Sequence, residues 1–387
     1  MAADAAATAP GARGPGARGT GAASRAWLAG TLTLTLAAFA AAIVLAPPAS
    51  APPGFGLTWL LFVGSSVHVA STAWLYTLPD VRGHARQHPG RFVLVPIALI
   101  LAAAVAAAVI PPATAAWCLL PYYAWQFFHF CKQNLGVAAL AAASRRVAPL
   151  RPVERRAVLA AGCAGIAGLV AHPSLLGLRV GAALGWMYPA AAAAFAAAVA
   201  TGVIALARRR GEGVTFKIVY LGSLCFFGPA FAFRSPYAAV GGMTIAHGLQ
   251  YLLLVGLVAA GNGQIPGRVL RLAALANVAL IGGAALSAAS HLHSAGPAGR
   301  LLFGAYLGAV MAHFVVDAGL WRLREPFPRA FLAARVPGLV PARSPGTGVP
   351  ATDRSAADLL WPAWQLRTQV RGPGRSARSA GTRDRRP

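Results

Sequence analysis

The sequence is poor in charged residues, and the acidic ones are the scarcest. Only 11% of its 387 residues are charged, with nine Asp or Glu against 34 Lys or Arg. Soluble globular domains usually carry about 25% charged residues. Together with 57% hydrophobic residues and a mean hydropathy of +0.60, this composition excludes an ordinary soluble domain and is typical of an integral membrane protein.

Several motifs of soluble enzymes are also missing. The four cysteines lie within apolar runs and form no C-x-x-C pair, which argues against a thiol redox motif and a cysteine-bound zinc site. The chain has no Walker motif, no dinucleotide-binding βαβ fingerprint and no G-x-S-x-G nucleophile elbow. Paired aspartates of the kind that hold magnesium and diphosphate are absent as well. Nucleotide chemistry, serine hydrolysis and prenyl transfer therefore lack support.

The formal net charge of +25 does not indicate a nucleic-acid partner. Most of the basic residues lie in short loops between apolar runs or after Leu320, and no zinc-finger, helix-turn-helix or RNA-binding signature accompanies them. Basic loops are what the positive-inside rule requires of a protein that crosses a membrane several times. We expect the lipid bilayer as the partner, and no nucleic acid.

Apolar runs recur along most of the chain, and many reach the roughly 20 residues that span a bilayer. They predict an all-α, polytopic transmembrane helical bundle of about ten spans, the sixth of which is long enough to tilt or break. The runs cover residues 27–46, 57–78, 92–110, 115–143, 157–171, 177–207, 214–233, 237–260, 269–289 and 301–321.

Loops rich in arginine alternate with loops poor in it, and this alternation predicts the orientation of the chain in the membrane. Loops after the even-numbered runs hold two to five arginines, whereas the other loops hold at most one. Both termini should therefore be cytoplasmic in a multi-pass protein of a cell membrane, which we expect to be a bacterial plasma membrane. The rich loops contain Arg82, Arg86 and Arg91, then Arg145, Arg146, Arg151, Arg155 and Arg156, then Arg208–Arg210, then Arg268 and Arg271, then Arg322 and Arg324.

The two ends of the chain differ in composition from the part between them. Residues 1–25 are rich in Ala, Gly and Pro with scattered arginines, and we expect a disordered basic segment. Residues 26–324 form the predicted transmembrane domain, and residues 325–387 a mostly disordered Pro- and Arg-rich cytoplasmic tail. The first run could pass for a secretory signal, but its apolar core is long for one, which favours a retained span.

Four of the nine histidines lie inside predicted spans, each on a different one. Each lies about 10 to 14 residues from the outer end of its span, which at 1.5 Å per residue places all four in one layer near the bilayer centre. These four are His68, His129, His247 and His313. The other five fall in predicted loops and are expected to be solvated or interfacial: His84, His88, His172, His291 and His293.

A second polar layer follows one helical turn later. Residues four apart share a helix face, so Thr72, Gln133, Tyr251 and Asp317 should each lie below one of the four histidines. Lys132 lies on the same side of the histidine layer as Asp317, and the two are natural counter-ions. The pattern predicts a polar chamber near the middle of the membrane.

Stabilisation of the bundle alone is a poor reason for such a layer. Interhelical hydrogen bonds in membranes average about 0.6 kcal/mol. A lysine or an aspartate near the centre of a span costs at least about 2.5 kcal/mol on insertion scales. A purely structural polar network stays open as an alternative, but the balance favours a functional site.

A metal site is the first functional interpretation, since neutral imidazole is the commonest metal ligand and four histidines with one carboxylate suit iron, copper or zinc. The layout of single histidines spread over several spans, His68, His129, His247 and His313, resembles that of the histidine-rich integral membrane iron oxygenases, while the segments HVAST and HFCKQNLG match no motif of that family. These oxygenases are the Brp/Blh carotene-cleaving family and, more distantly, the membrane desaturases and hydroxylases, although the H-x-x-H-H cluster of the latter is missing. The resemblance implies non-haem iron, with the four histidines as ligands and Asp317 as a possible fifth.

The resulting hypothesis is a metal-dependent oxidoreductase that acts on a lipophilic substrate, with an electron donor as a possible partner. Asp317 would bind the metal or orient a ligand, and Lys132 would neutralise Asp317 or bind a substrate anion. Tyr251 and Gln133 would position oxygen or substrate. Two alternatives stay open: a proton-coupled transporter with a His/Lys/Asp relay, and a haem protein in which two histidines ligate the iron.

Overall fold

The computed structural model describes residues 15–48, 51–211, 213–262, 265 and 267–340. These residues form helices joined by turns, and no β-strand occurs among them, which confirms the predicted all-α class. The helices are α1 Pro15–Val44, α2 Phe55–Leu75, α3 Pro79–Gln87, α4 Gly90–Val109, α5 Pro112–Ser144, α6 Pro152–Ala171, α7 Met187–Ala207, α8 Val214–Leu224, α9 Tyr237–Ala260, α10 Arg268–Ser290, α11 Pro297–Leu320 and α12 Pro326–Arg335.

Seven of these helices are long and apolar enough to cross a membrane, namely α1, α2, α4, α7, α9, α10 and α11. The protein is therefore an integral membrane protein. Helix α5 has 33 residues, but its stretch of histidine, lysine, glutamine and asparagine lowers its hydropathy, and α6 opens on a charged turn. The predicted number of spans and the location of the termini stay predictions.

Two of the predicted runs are interrupted. The sixth run, residues 177–207, expected to tilt or break, begins with a short 3-10 turn at Ala182–Leu184 before α7 starts at Met187. The seventh run, expected to span as one helix, ends after the 11 residues of α8. The chain then turns and forms a single helical turn at Pro229–Ala232. A proline at the start of that turn cannot continue the hydrogen bonding of a preceding helix.

The ends of the bundle also differ from the sequence prediction. Helix α1 begins at Pro15, within the segment expected to be disordered. Helix α12 lies at the start of the predicted tail and buries Phe331 and Leu332, which gives that part of the chain an apolar reason to fold. Residues 1–14 and 341–387, which hold the rest of the two predicted disordered segments, lie outside the described residues.

Close backbone contact between α2 and α9 positions two of the histidines. A Cβ atom on Gly248 would overlap the backbone of Gly64, so neither position tolerates a side chain without a shift of one helix. Gly64 lies in a π-helical turn one turn before His68, and Gly248 follows His247 directly. Small residues that let helices approach are a common packing device in membranes. This contact brings the two imidazoles together.

A buried ion pair holds another part of the bundle. The Arg209 guanidinium donates to both carboxylate oxygens of Glu154 at 2.6 Å, and both side chains are fully buried. Arg209 also donates to the carbonyl oxygens of Ala148 and Pro149 at 2.9 and 2.7 Å. The pair joins the first turn of α6, the loop before it and the end of α7. Arg209 belongs to one of the arginine-rich loops of the sequence analysis, and Glu154 lies between the fourth and fifth apolar runs.

Candidate metal site

The imidazoles of His68, His129, His247 and His313 come from α2, α5, α9 and α11 and meet in one cluster, as predicted. Three of the rings are buried, and the His129 side chain is 10% exposed. The ring centroids form a closed quadrilateral. Its sides are 5.0 Å for His68 to His247, 5.0 Å for His247 to His129, 5.2 Å for His129 to His313 and 5.1 Å for His313 to His68.

The cluster is rich in hydrogen-bonding atoms that have no partner. Six imidazole nitrogens are buried without a hydrogen bond to any described residue: both nitrogens of His68, both of His247, and Nε2 of His129 and of His313. Buried polar atoms in folded proteins are normally satisfied, because an unsatisfied one costs about 1–3 kcal/mol. The lone pairs and N–H groups of these six nitrogens are available to an ion, a water molecule or a ligand held among the four rings.

The nitrogen atoms are close enough to share a metal ion. One group combines His68, His247 and His313, and a second combines His129, His313 and Asp317; within each group the ligand atoms lie within 4.8 Å of one another. Metal–nitrogen bonds of about 2.1 Å place opposite ligands about 4.2 Å apart, so small side-chain rotations would complete either set. His313 belongs to both groups and lies at the centre of the possible site.

A chain of hydrogen bonds defines the tautomer of His313. Tyr251 donates its hydroxyl hydrogen to Asp317 Oδ1 at 2.8 Å. The 2.8 Å bond between Thr72 and Tyr251 must then use the threonine hydrogen. Thr72 therefore accepts from His313 Nδ1 at 2.7 Å, which places the proton on Nδ1 and the lone pair on Nε2. Such outer partners commonly orient a metal-binding imidazole.

The carboxylate of Asp317 lies close to two of the four histidines. Its Oδ2 is 3.6 Å from His313 Nε2 and 3.8 Å from His129 Nε2, and the residue is 4% exposed. Lys132 is half-buried on α5, and its charge interacts with the thiol of Cys163 on α6. The pairing of Lys132 with Asp317 stays a prediction.

Gln133 connects helices instead of contacting an imidazole. Its side-chain amide donates to the backbone carbonyl of His247 at 3.0 Å and to Gln250 Oε1 at 3.1 Å. Gln250 donates in turn to Thr35 on α1 at 2.8 Å. This series of bonds fixes the position of His247 relative to α5 and α1. A role for Gln133 in holding oxygen or substrate stays a prediction.

Two phenylalanines that the sequence argument did not select cover the faces of two rings. Phe130 stacks on His247 with centroids 3.9 Å apart, and Phe314 stacks on His129 at 4.6 Å. Each phenylalanine follows a cluster histidine directly, in the sequences FHFC and AHFV. The repeated His-Phe dipeptide was the available signal. In each case the phenylalanine covers a histidine of a different helix.

A narrow cleft opens beside His68, with a volume of about 20 Å³, which is room for about one water molecule. Most of its walls are aromatic or aliphatic, with a few hydroxyl and amide groups, and no charged residue lines it. An apolar molecule would have to widen this cleft to reach the cluster. The lining residues are Ser65, His68, Val69, Tyr122, Gln126, Phe130, Thr244, Tyr306, Val310 and Phe314.

The remaining histidines lie outside the cluster. His84 and His88 have an H-x-x-x-H spacing at α3 that the sequence argument did not use, and their rings are 4.4 Å apart. His84 stacks on Phe327 of α12 at 3.9 Å, and His88 is exposed. The other three are also exposed: His172, His291 and His293.

Comparison with known proteins does not identify the site. No protein family, curated protein or solved structure matches this chain. The resemblance to membrane iron oxygenases therefore stays a prediction, and the functional argument depends on the geometry of the cluster.

Proposed function

We propose that this chain is an integral membrane, metal-dependent oxidoreductase of the oxygenase or desaturase type that acts on a lipophilic substrate. One observation carries the proposal: four imidazoles on four helices are buried together, and six of their nitrogens have no partner among the described residues. A metal ion satisfies several such nitrogens at once, whereas a purely structural network would be expected to pair them with each other.

Iron is the metal we favour. Imidazole nitrogens with one carboxylate suit non-haem iron, and copper is compatible with the same donors. His68, His247 and His313 would hold the ion, with His129 and Asp317 completing the set. When bound, iron would supply the activation of dioxygen, and electrons would come from a separate donor.

The protein's own side chains would orient and shield the metal. Thr72 and Tyr251 keep the His313 lone pair on Nε2, which lies 3.6 Å from Asp317. Phe130 and Phe314 cover the rings of His247 and His129, so that water is kept away from them. Substrate would reach the ion by widening the uncharged cleft beside His68, whose walls favour a molecule dissolved in the bilayer.

Metal analysis of the purified protein tests this proposal. We expect about one equivalent of iron in the wild type and its loss in His247→Ala, because His247 has two buried nitrogens available. The matched control is His172→Ala, an exposed histidine outside the cluster, which should keep the metal. Dioxygen consumption with extracted membrane lipids should follow the metal content.

The proposal fails if the wild type, expressed with iron, copper and zinc supplied in turn, is folded but binds none of them. It also fails if His247→Ala and His172→Ala retain metal equally. An optical spectrum of the same sample separates haem from non-haem iron. The stacked phenylalanines and the ring spacing of about 5 Å favour the non-haem form.

A proton-coupled carrier is the second candidate, favoured by a different observation. The hydrogen bonds from His313 through Thr72 and Tyr251 to Asp317 form a continuous path for protons inside the bundle. A folded, metal-free protein that takes up a solute into proteoliposomes when a proton gradient is applied would favour this candidate.

A further inference from the structure

A half-buried arginine, Arg91, lies at one end of the bundle, outside the histidine cluster and next to His84 and His88. Arg91 is in the first turn of α4, and its Nε and Nη2 atoms are buried without a hydrogen-bond partner among the described residues. The side chain packs against the backbone of α11 at Gly319, where a Cβ atom would lie 2.9 Å from Arg91 Nε. Unsatisfied guanidinium donors are costly, because hydrogen bonds to charged groups are worth more than neutral ones.

A second arginine acts on the first. Arg322 follows the end of α11 and interacts electrostatically with Arg91. Arg322 Nη1 donates to Glu325 Oε1 at 3.1 Å, and Glu325 also acts on Arg91. An anion beside Arg91 would accept from the two Arg91 donors that lack a hydrogen bond to a described residue.

The position of Arg91 and Arg322 relative to the membrane indicates which anion can reach them. Gly90 begins one apolar helix and Leu320 ends another, so Arg91 and Arg322 lie where two spans leave the hydrocarbon together. Lipid phosphate groups lie at this level of a bilayer, and basic pockets between spans bind anionic headgroups. Guanidinium groups match phosphate oxygens with two parallel hydrogen bonds.

We propose that Arg91, assisted by Arg322, binds a phosphate group at this end of the protein, and that an anionic phospholipid headgroup is its source. This site is separate from the histidine cluster and does not depend on the proposed metal chemistry. Phosphatidylglycerol should bind better than phosphatidylcholine, since the choline cation would be repelled by the two arginines.

Native mass spectrometry of the detergent-solubilised full-length protein tests the site. Wild-type protein titrated with phosphatidylglycerol should retain it at concentrations about tenfold lower than phosphatidylcholine. Arg91→Gln should remove that preference. Arg86→Gln is the matched control, because Arg86 is an exposed arginine at the same end of the bundle, and it should keep the preference. Should Arg91→Gln not fold, Arg322→Gln replaces it, and a weakened preference is again expected.

A competition with inorganic phosphate shows whether the phosphate group bound at Arg91 comes from a lipid headgroup or from free phosphate. If millimolar phosphate does not displace phosphatidylglycerol, the lipid source is supported. If phosphate binds and displaces it, the phosphate chemistry stands and the lipid source is wrong. Equal retention of both lipids by the wild type, or equal loss in Arg91→Gln and Arg86→Gln, overturns the proposal.

Discussion

The bundle contains two buried polar centres, and they are built in opposite ways. In the ion pair of Arg209 and Glu154, the guanidinium bonds to both carboxylate oxygens and to two backbone carbonyls, and the backbone N–H of Arg151 donates to Glu154 at 2.7 Å. In the histidine cluster, six nitrogens have no hydrogen-bond partner in the part of the chain that the structure describes.

This difference separates a structural centre from a candidate functional one. A buried charge pair is stable when all its hydrogen bonds are made. Removal of one member leaves the other charge buried without a counter-ion, which strongly destabilises the fold. The histidines are neutral groups whose bonding capacity is largely unused, so their contribution to stability should be small until a ligand arrives. The comparison therefore predicts separate effects on stability and on metal binding.

The largest effect is expected for Arg209→Ala. It leaves Glu154 buried without its counter-ion, and the free energy of unfolding should fall by about 3–5 kcal/mol. Thermal unfolding in detergent measures the change, and metal content per folded molecule should not change. Arg210→Ala removes a neighbouring exposed arginine and should have an effect within about 0.5 kcal/mol. Similar effects of the two substitutions would show that the ion pair does not hold the bundle together.

Thr72→Val is expected to have a smaller effect, which changes the affinity for the proposed metal and leaves the stability of the fold unchanged. The substitution keeps the side-chain shape but removes the acceptor for His313 Nδ1, so the affinity for metal should fall by about 10- to 100-fold. Competition with a chelator measures this affinity. Ser71→Ala is the control, because the Ser71 hydroxyl bonds only within its own helix, to the His68 carbonyl at 2.6 Å. Equal losses in both variants would contradict an orienting role for Thr72.

The smallest effect is expected for His68→Leu in the metal-free protein. The His68 ring lies near the backbone of Gly64 and Ser65 but makes no hydrogen bond of good geometry to a described residue, so the free energy of unfolding should change by less than about 1 kcal/mol or rise. Asn134→Leu provides the contrast, since Asn134 is equally buried and donates to the Phe130 carbonyl at 2.9 Å. It should lose about 1 kcal/mol or more. A loss for His68→Leu as large as that for Arg209→Ala would mean that the cluster is structural.

Much of the fold and the histidine cluster could be predicted from the sequence because both depend on periodicity. Long apolar runs become helices in any membrane protein, and the spacing between His313 and Asp317 places them on one helix face. A shared depth on four spans was enough to select the four histidines. These are properties of single helices, which a sequence displays directly.

The features that could not be predicted depend on which helix faces which. Lys132 and Asp317 were matched by depth alone, and depth does not say which helix a side chain faces; the charge of Lys132 interacts with the thiol of Cys163 on α6, and its pairing with Asp317 stays a prediction. Glu154 and Arg209 are separated by a whole helix and its connections, and no local pattern marks them as partners. The π-helical turn before His68 and the contact of Gly64 with Gly248 likewise arise only when α2 and α9 pack.

The distribution of the cluster along the chain has a consequence for biosynthesis. Synthesis of the roughly 250 residues between His68 and Asp317 takes on the order of 10–50 s at about 5–20 residues per second. Until α11 has entered the membrane, its histidine, its phenylalanine cover and its carboxylate are all missing. The nascent chain therefore has no complete pocket in which to trap a wrong ion, and loading of the proposed metal would have to come late in its maturation.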